Sequence, residues 1–478
     1  MRNDAMIADM SGLSGAVARI VVAVCLVGCG LPAQAEEPPR QAAEVRVATF
    51  DVDATPPVGV SMAFQHVVRE PELRLRCRGV VILGAGEPIV LCVLDWLGIG
   101  NESHDAFRAG LAEAAGTRPD RVAVHATHAH DAPYSDFTAE RILRGFGIRS
   151  ASRFDGDFHR EVIKRGAAAI RDALPMARPA THWGFGSAAV HEVASNRRIL
   201  GPDGKVRVTR YTACGDAALR AEPEGVIDPL VTAVAFFDGE TPVAVVTAYA
   251  CHPQSYYRAG VPSPDFPGIA RFIRSQDEPA ALHVHFNGAG GNIGAGKYND
   301  GAKTNRVKLA ERLAAGMREA YAAIERRPLR AADVGWSGVD VVLEPAERFD
   351  EQALVEQLRR EPPQEPLAPL QSVIEELAWV TRCRSGHAIC VTCLRVGTAR
   401  MLHLPGELFV EYQLAARAMR PDLHVMVAAY GNYGPSYIGT ARAYDEGGYE
   451  MEPRSTFVGP EVEPKLLAAM RTLLEATP

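Results

Sequence analysis

Five apolar runs in the chain read as strands, and each gives way to a polar or glycine-rich break. The first, 121–130, leads through His128 and His130 to Pro133. Side chains alternate faces along a strand, so His128 and His130 are expected on one side at its end. The run Val243–Cys251 leads into His252 and Pro253, and Leu282–Phe286 leads into a glycine-rich loop containing Asn292. Met401–Leu404 gives way to Pro405, Gly406 and Glu407, and Val425–Tyr430 to Asn432, Tyr433 and Tyr437. Distant stretches thus bring histidines, a glutamate and tyrosines to strand ends, where open α/β sheets collect ligands.

Between these runs the pattern changes period. Val80–Leu83 and Ile89–Leu94 read as further strands, and helical spacing fits Ser103–Ala115, Asp157–Leu174, Thr304–Arg326 and Leu408–Met419. This alternation implies an α/β fold with mixed, largely parallel sheets flanked by helices. No internal repeat stands out. Residues 344–377, rich in Glu, Gln and Pro, read as a solvated helical insertion. Because candidate breaks lie on both sides of it, residues 44–478 are expected to form one catalytic domain.

Composition narrows the partner. A net charge of -7 with no basic run argues against nucleic acid and leaves a small molecule as the default. Residues 1–35 read as an export signal: the apolar segment Ile20–Val27 is too short to span a bilayer, and 36–43 form a polar linker. Leu26-Val-Gly-Cys29 suits lipidation of Cys29, and so membrane anchoring, whereas Pro32-Ala-Gln-Ala35 suits ordinary cleavage. Seven cysteines follow, and an oxidising compartment allows disulfides. Cys383, Cys390 and Cys393 are close enough in sequence for one pair to bridge, or for a small zinc site with His387.

Two imidazoles, a carboxylate and a phenol form a mixed N/O set of the kind that holds catalytic zinc. His128, His252, Glu407 and Tyr437 supply it. The same stretches carry a resemblance. Thr127–Pro133, Ala250–Pro253, Leu404–Glu407 and Tyr433–Tyr437 with Tyr449 and Glu450 are similar to motifs of the neutral/alkaline, non-lysosomal ceramidase family. The resemblance implies a zinc amidase that cleaves an N-acyl bond, with zinc on His128, His252, Glu407 and Tyr437. It also implies substrate contacts at His130 and Tyr449, and a cation near the scissile carbonyl at Arg197, which follows Asn196. Backbone amides of the glycine loop near Asn292 are expected to help stabilise an oxyanion. Asp95 and Asp265 are candidates to support a ligand histidine; His125, His283 and His285 receive no role.

Two features depart from the family pattern. Glycine stands at 294, where the family has a serine against the zinc-bound water, and the sequence ends soon after Tyr449, where ceramidases continue into a β-sandwich. A smaller or more polar amide or ester therefore stands beside ceramide as the expected substrate. Gly294 also raises a second reading, a ceramidase-fold binding protein that has lost catalysis. A serine esterase is disfavoured, since the chain lacks a G-x-S-x-G elbow.

Overall fold

The computed structural model describes residues 44–148, 152–363 and 370–476. Three sheets dominate it, and they share one topology. In the first, β1 (Arg46–Asp53), β2 (Arg76–Leu83) and β3 (Ile89–Leu94) run antiparallel. Helix α1 (Asn101–Ala115) then crosses over, and β4 (Val122–Ala126) pairs parallel to β3. After helix α2 (Asp157–Ala173), the two-residue strand β5 (Arg178–Pro179) closes the far edge against β1.

The second sheet repeats the plan with β6 (His182–Ala189), β7 (Leu230–Asp238) and β8 (Thr241–Tyr249) antiparallel. Helix α3 (Asp265–Asp277) leads to β9 (Leu282–Asn287), parallel to β8. Helix α4 (Asn305–Ala322) precedes another Arg-Pro edge strand, β10 (Arg327–Pro328), on β6. In the third, β11 (Val334–Val341) is followed by helices α5 (Glu351–Arg360) and α6 (Gln371–Arg384). Next come β12 (Ile389–Val396), β13 (Ala399–His403), helix α7 (Val410–Met419) and β14 (His424–Ala428), parallel to β13. Helix α8 (Val462–Glu475) completes it.

The chain is therefore a threefold repeat of one unit, contrary to the reading of the sequence. What conceals the repeat is the first connection of each unit, which is long and different every time: 54–75, 190–229 and 342–388. The 344–377 stretch falls in the last of these. The α/β architecture with mixed, helix-flanked sheets is as the alternation implies. Parallel pairing, however, is confined to one pair in each main sheet.

The continuous apolar runs follow from burial on both faces. Along β3, Ile89, Leu91 and Val93 enter a core shared by all three sheets, whereas Val90, Cys92 and Leu94 pack under α1 and α2. The shared core also takes Val246, Val284 and Phe286 from the second sheet and Met401 and Met426 from the third. Each such side chain contributes about 1.5–3 kcal/mol on burial. The arrangement fixes the strand ends relative to one another, and those ends carry the site.

Two expectations need correction. The strand expected over 121–130 stops at Ala126: the Thr127 amide still meets the Leu94 carbonyl of β3, but the His128 amide goes to the Trp96 carbonyl, out of the ladder's register. His128 then takes φ 71, so strand alternation is not what brings it and His130 together. The expected bridge among Cys383, Cys390 and Cys393 is also missing, and all seven described cysteines are free. Cys390 and Cys393 sit three residues apart on β12, which turns them to opposite faces. The export signal and Cys29 lie outside the described residues.

Candidate metal centre

Four side chains meet where the units converge. His128 follows β4, His252 follows β8, Glu407 lies between β13 and α7, and Tyr437 lies beyond β14. His128 Nε2 stands 3.1 Å from His252 Nε2, and Glu407 Oε2 lies 3.2 Å from the first and 3.0 Å from the second. Tyr437 Oη is 3.4 Å from His252 Nε2. All four are buried, Tyr437 least so at 9% exposure.

The protonation pattern is what makes this cluster a cation site. His128 Nδ1 lies 2.8 Å from the Leu97 carbonyl, and His252 Nδ1 lies 2.7 Å from that of Gly290. A carbonyl only accepts, so each Nδ1 carries a proton, and in the neutral form of each ring the lone pair then lies at Nε2, facing the other. Glu407 Oε2 adds a third acceptor, and its partner oxygen Oε1 already takes the Tyr433 hydroxyl proton. With both rings neutral, three acceptors face one point without a proton between them, which a cation resolves. Bonds of about 2.0–2.1 Å to tetrahedral zinc put neighbouring donors about 3.3 Å apart; the observed spacings of 3.0–3.4 Å fit.

Electrostatics point the same way. Burial, and then the Arg197 charge, depress His252 to about 4, which keeps it neutral. Burial raises Glu407, and charge on His128 and His252 would hold it well below the usual carboxylate range; with both rings neutral, that counter-charge falls to a cation. Tyr437 is pushed up by burial and opposed by Arg197, whose Nη2 lies 3.2 Å from the phenol oxygen. That cation, with the Tyr449 hydroxyl, favours a phenolate.

The remaining predicted residues divide. Tyr449 Oη is 3.0 Å from Tyr437 Oη, and Arg197 lies over the Tyr449 ring at 5.1 Å, with Glu450 buried behind it. His130, His128 and His252 have ring nitrogens within 4.8 Å of one another, yet neither nitrogen of His130 has a hydrogen-bond partner among the described residues. Burial, then His128 and His252, hold its pKa well down, so its lone pair is free. Asn292 is turned elsewhere: its amide donates to Glu411 at 2.9 Å and its oxygen accepts the Val410 amide at 2.9 Å. It lines a cavity of about 530 Å³ with Phe409 and Glu411, which none of the four donors lines. The loop amides of Gly291 and Ile293 are bonded to Leu408 and Gly290 carbonyls.

Asp95 and Asp265 support no ligand histidine. Asp95 is paired with Arg271, and Asp265 takes Ser255 and Arg306. His125, His283 and His285 hold partners of their own, Ala429, Glu278 and Thr247. Two tyrosines had no role in the sequence reading: Tyr430 stacks on His128 at 4.6 Å, and Tyr433 bonds Glu407. Both lie in the break after β14, but nothing in their spacing marks them. Left-handed backbone at His128, Tyr430 and Ser436 rings the cluster, the kind of strain that gathers at functional sites.

No family model matches the sequence, and no curated relative does. Solved structures do match. The neutral ceramidase of Pseudomonas aeruginosa gives a TM-score of 0.64 at 18% identity, over 92% of this chain and 76% of that one. A ceramidase complexed with C2 gives 0.63 at 18% identity, over 91% and 74%. The class is thus a helix-flanked mixed α/β fold, and the fold is that of the neutral ceramidases, as the sequence motifs implied.

Proposed function

We propose that this protein is an exported zinc hydrolase of N-acyl amide bonds, with the metal on His128, His252, Glu407 and Tyr437. The observation that carries the reading is the meeting of two imidazole nitrogens and Glu407 Oε2 within 3.0–3.2 Å, buried together. Zinc in such a cage supplies Lewis acidity and a nucleophile usable at neutral pH. The chain's own groups do the rest. His130, neutral and unpartnered, takes the proton of the attacking water and delivers it to the departing amine nitrogen. Arg197 and the Tyr449 hydroxyl stabilise the charge that develops on the acyl oxygen. The substrate is a small N-acyl molecule, lipid or more polar. Residues 1–35 support action outside the cytoplasm, with Cys29 as a candidate anchor, and no helix among the described residues is long and apolar enough to cross a membrane.

Metal analysis combined with hydrolysis of N-acyl substrates of graded chain length tests the reading. One zinc per chain is expected, with turnover lost on chelation and restored by zinc. Absence of stoichiometric zinc, or full activity in His128→Ala, would sink it. Tight zinc without turnover of any amide or ester would favour the binding-protein reading that Gly294 raises.

A further inference from the structure

An arginine beside the centre has an unusual backbone and no carboxylate partner among the described residues. Arg258 takes φ 63, a left-handed conformation that long side chains rarely adopt. Asp131 imposes it: Oδ1 accepts the amides of Arg258 at 2.7 Å and Ala259 at 3.3 Å, and its carbonyl accepts Ser263 at 2.8 Å. Asp131 adjoins His130, so the loop is tied to the segment that carries the site histidines.

This bend fixes the guanidinium. Arg258 Cζ lies 5.3 Å from the Tyr257 ring centre and 5.5 Å from that of Phe64. Those two rings wall His130, with Phe64 stacked on it at 5.5 Å and Tyr257 edge-on at 5.1 Å. Phe64 is 38% exposed, and Arg258 is exposed too, so this wall opens to solvent.

The neighbouring cations already face carboxylates. Arg306 pairs with Asp265 and lies 3.5 Å over Tyr256, and Arg197 faces Glu450. Asp131 Oδ1 is occupied with amides, while its buried Oδ2 has no hydrogen-bond partner among the described residues. Arg258 alone of these cations has no carboxylate partner among the described residues. Strain accepted to hold an unpaired cation against two aromatic rings points to a ligand rather than to stability.

We propose that Arg258, Phe64 and Tyr257 form a subsite for an anionic group on the substrate. The preferred substrates are then N-acyl amides that carry a carboxylate, sulfonate or phosphate several bonds from the scissile carbonyl. This rests on the amide-hydrolase reading above. The guanidinium offers a planar fork to an oxyanion, and the rings hold it ready while covering the apolar spacer.

The test compares N-dodecanoyl-6-aminohexanoate with its neutral counterpart N-dodecanoylhexylamine, on zinc-loaded wild type, Arg258→Gln and Arg258→Lys. Wild type is expected to favour the anionic substrate about tenfold in kcat/KM, the scale of one charge-assisted contact. Arg258→Gln should erase most of that preference through KM, Arg258→Lys should recover part of it, and added salt should weaken it. Equal loss on both substrates in Arg258→Gln, or no preference in wild type, overturns the proposal. If neither amide is cleaved, the graded amide and ester series above decides the hydrolase reading separately. Calorimetric binding of the same two compounds then decides the subsite: tighter binding of the anion, lost in Arg258→Gln, supports it, and equal affinities refute it.

Discussion

The end of the third strand is the same topological place in every unit, yet it does different work in the first and the third. After β3 stands Asp95, fully buried, clamped by both guanidinium nitrogens of Arg271 at 2.6 and 2.7 Å. After β13 stands Glu407, 2% exposed, which faces two imidazole lone pairs instead of a cation. Each is a buried carboxylate just past a strand end. What separates a structural clamp from a metal ligand is whether the neighbouring unit supplies the counter-charge. The first unit's acid receives its arginine from α3 of the second, and the third unit's acid faces two imidazoles, where the proposed metal would sit.

The largest effect should follow from altering the acid that lacks a counter-charge. Glu407→Gln removes an anionic donor and offers an amide N–H to the imidazole lone pairs. Zinc affinity is expected to fall by at least about a hundredfold, and turnover with it. The sharper consequence concerns the metal-free protein. Because the substitution replaces mutual repulsion by a hydrogen bond, the zinc-free variant should melt no lower than zinc-free wild type. Only wild type should gain stability when zinc is added. Calorimetry and metal analysis check both halves, and a clear loss of stability in the zinc-free variant would break the contrast with Asp95.

Asp95→Asn should behave in the opposite way. It strands Arg271, 4% exposed, without its anion, at a cost of about 3–5 kcal/mol in denaturant unfolding. Zinc stoichiometry should hold. Replacing both partners, Asp95→Leu with Arg271→Met, should return most of the lost stability, since an apolar pair avoids desolvating two charges. Zinc loss comparable to that of Glu407→Gln would place Asp95 in the metal's support after all.

These two acids also mark how far the sequence could be read. Both stood out as polar residues at strand ends, and the apolar runs were legible because burial on both faces leaves a continuous signal. The four donors were legible for the same reason, as breaks in those runs. What settles the role of each acid is orientation and neighbour. Arg271 is 176 residues from Asp95 and nothing in its helix marks it as that partner. Asn292 looked like an oxyanion donor from its glycine-rich loop, but the first turn of α7 captures its amide. The Arg258 loop carried no signal, because its strain comes from an aspartate 127 residues earlier. The repeat stayed hidden because the first connections, which carry Phe64 in one unit and Arg197 in another, share neither length nor pattern.

The fourth-strand ends sharpen the comparison further, with a smaller effect. The first unit places His128 there, whereas the second has the glycine-rich loop and Gly294. A Cβ at 294 would lie 2.7 Å from Thr212 Oγ1 and 3.3 Å from Arg197 Cδ. The Thr212 hydroxyl is buried and has no hydrogen-bond partner among the described residues. Thr212 thus fills the space that a side chain at 294 would need. Gly294→Ser is expected to cost about 1–3 kcal/mol through overpacking and to lower turnover by displacing Arg197, with zinc content unchanged. Combining it with Thr212→Ala should recover most of the stability, because the crowding hydroxyl is gone. Melting curves and kcat/KM of the two variants decide the matter. If Gly294→Ser alone raised activity without loss of stability, the glycine would be a lesion in the site, and Thr212 would not be what excludes a side chain there.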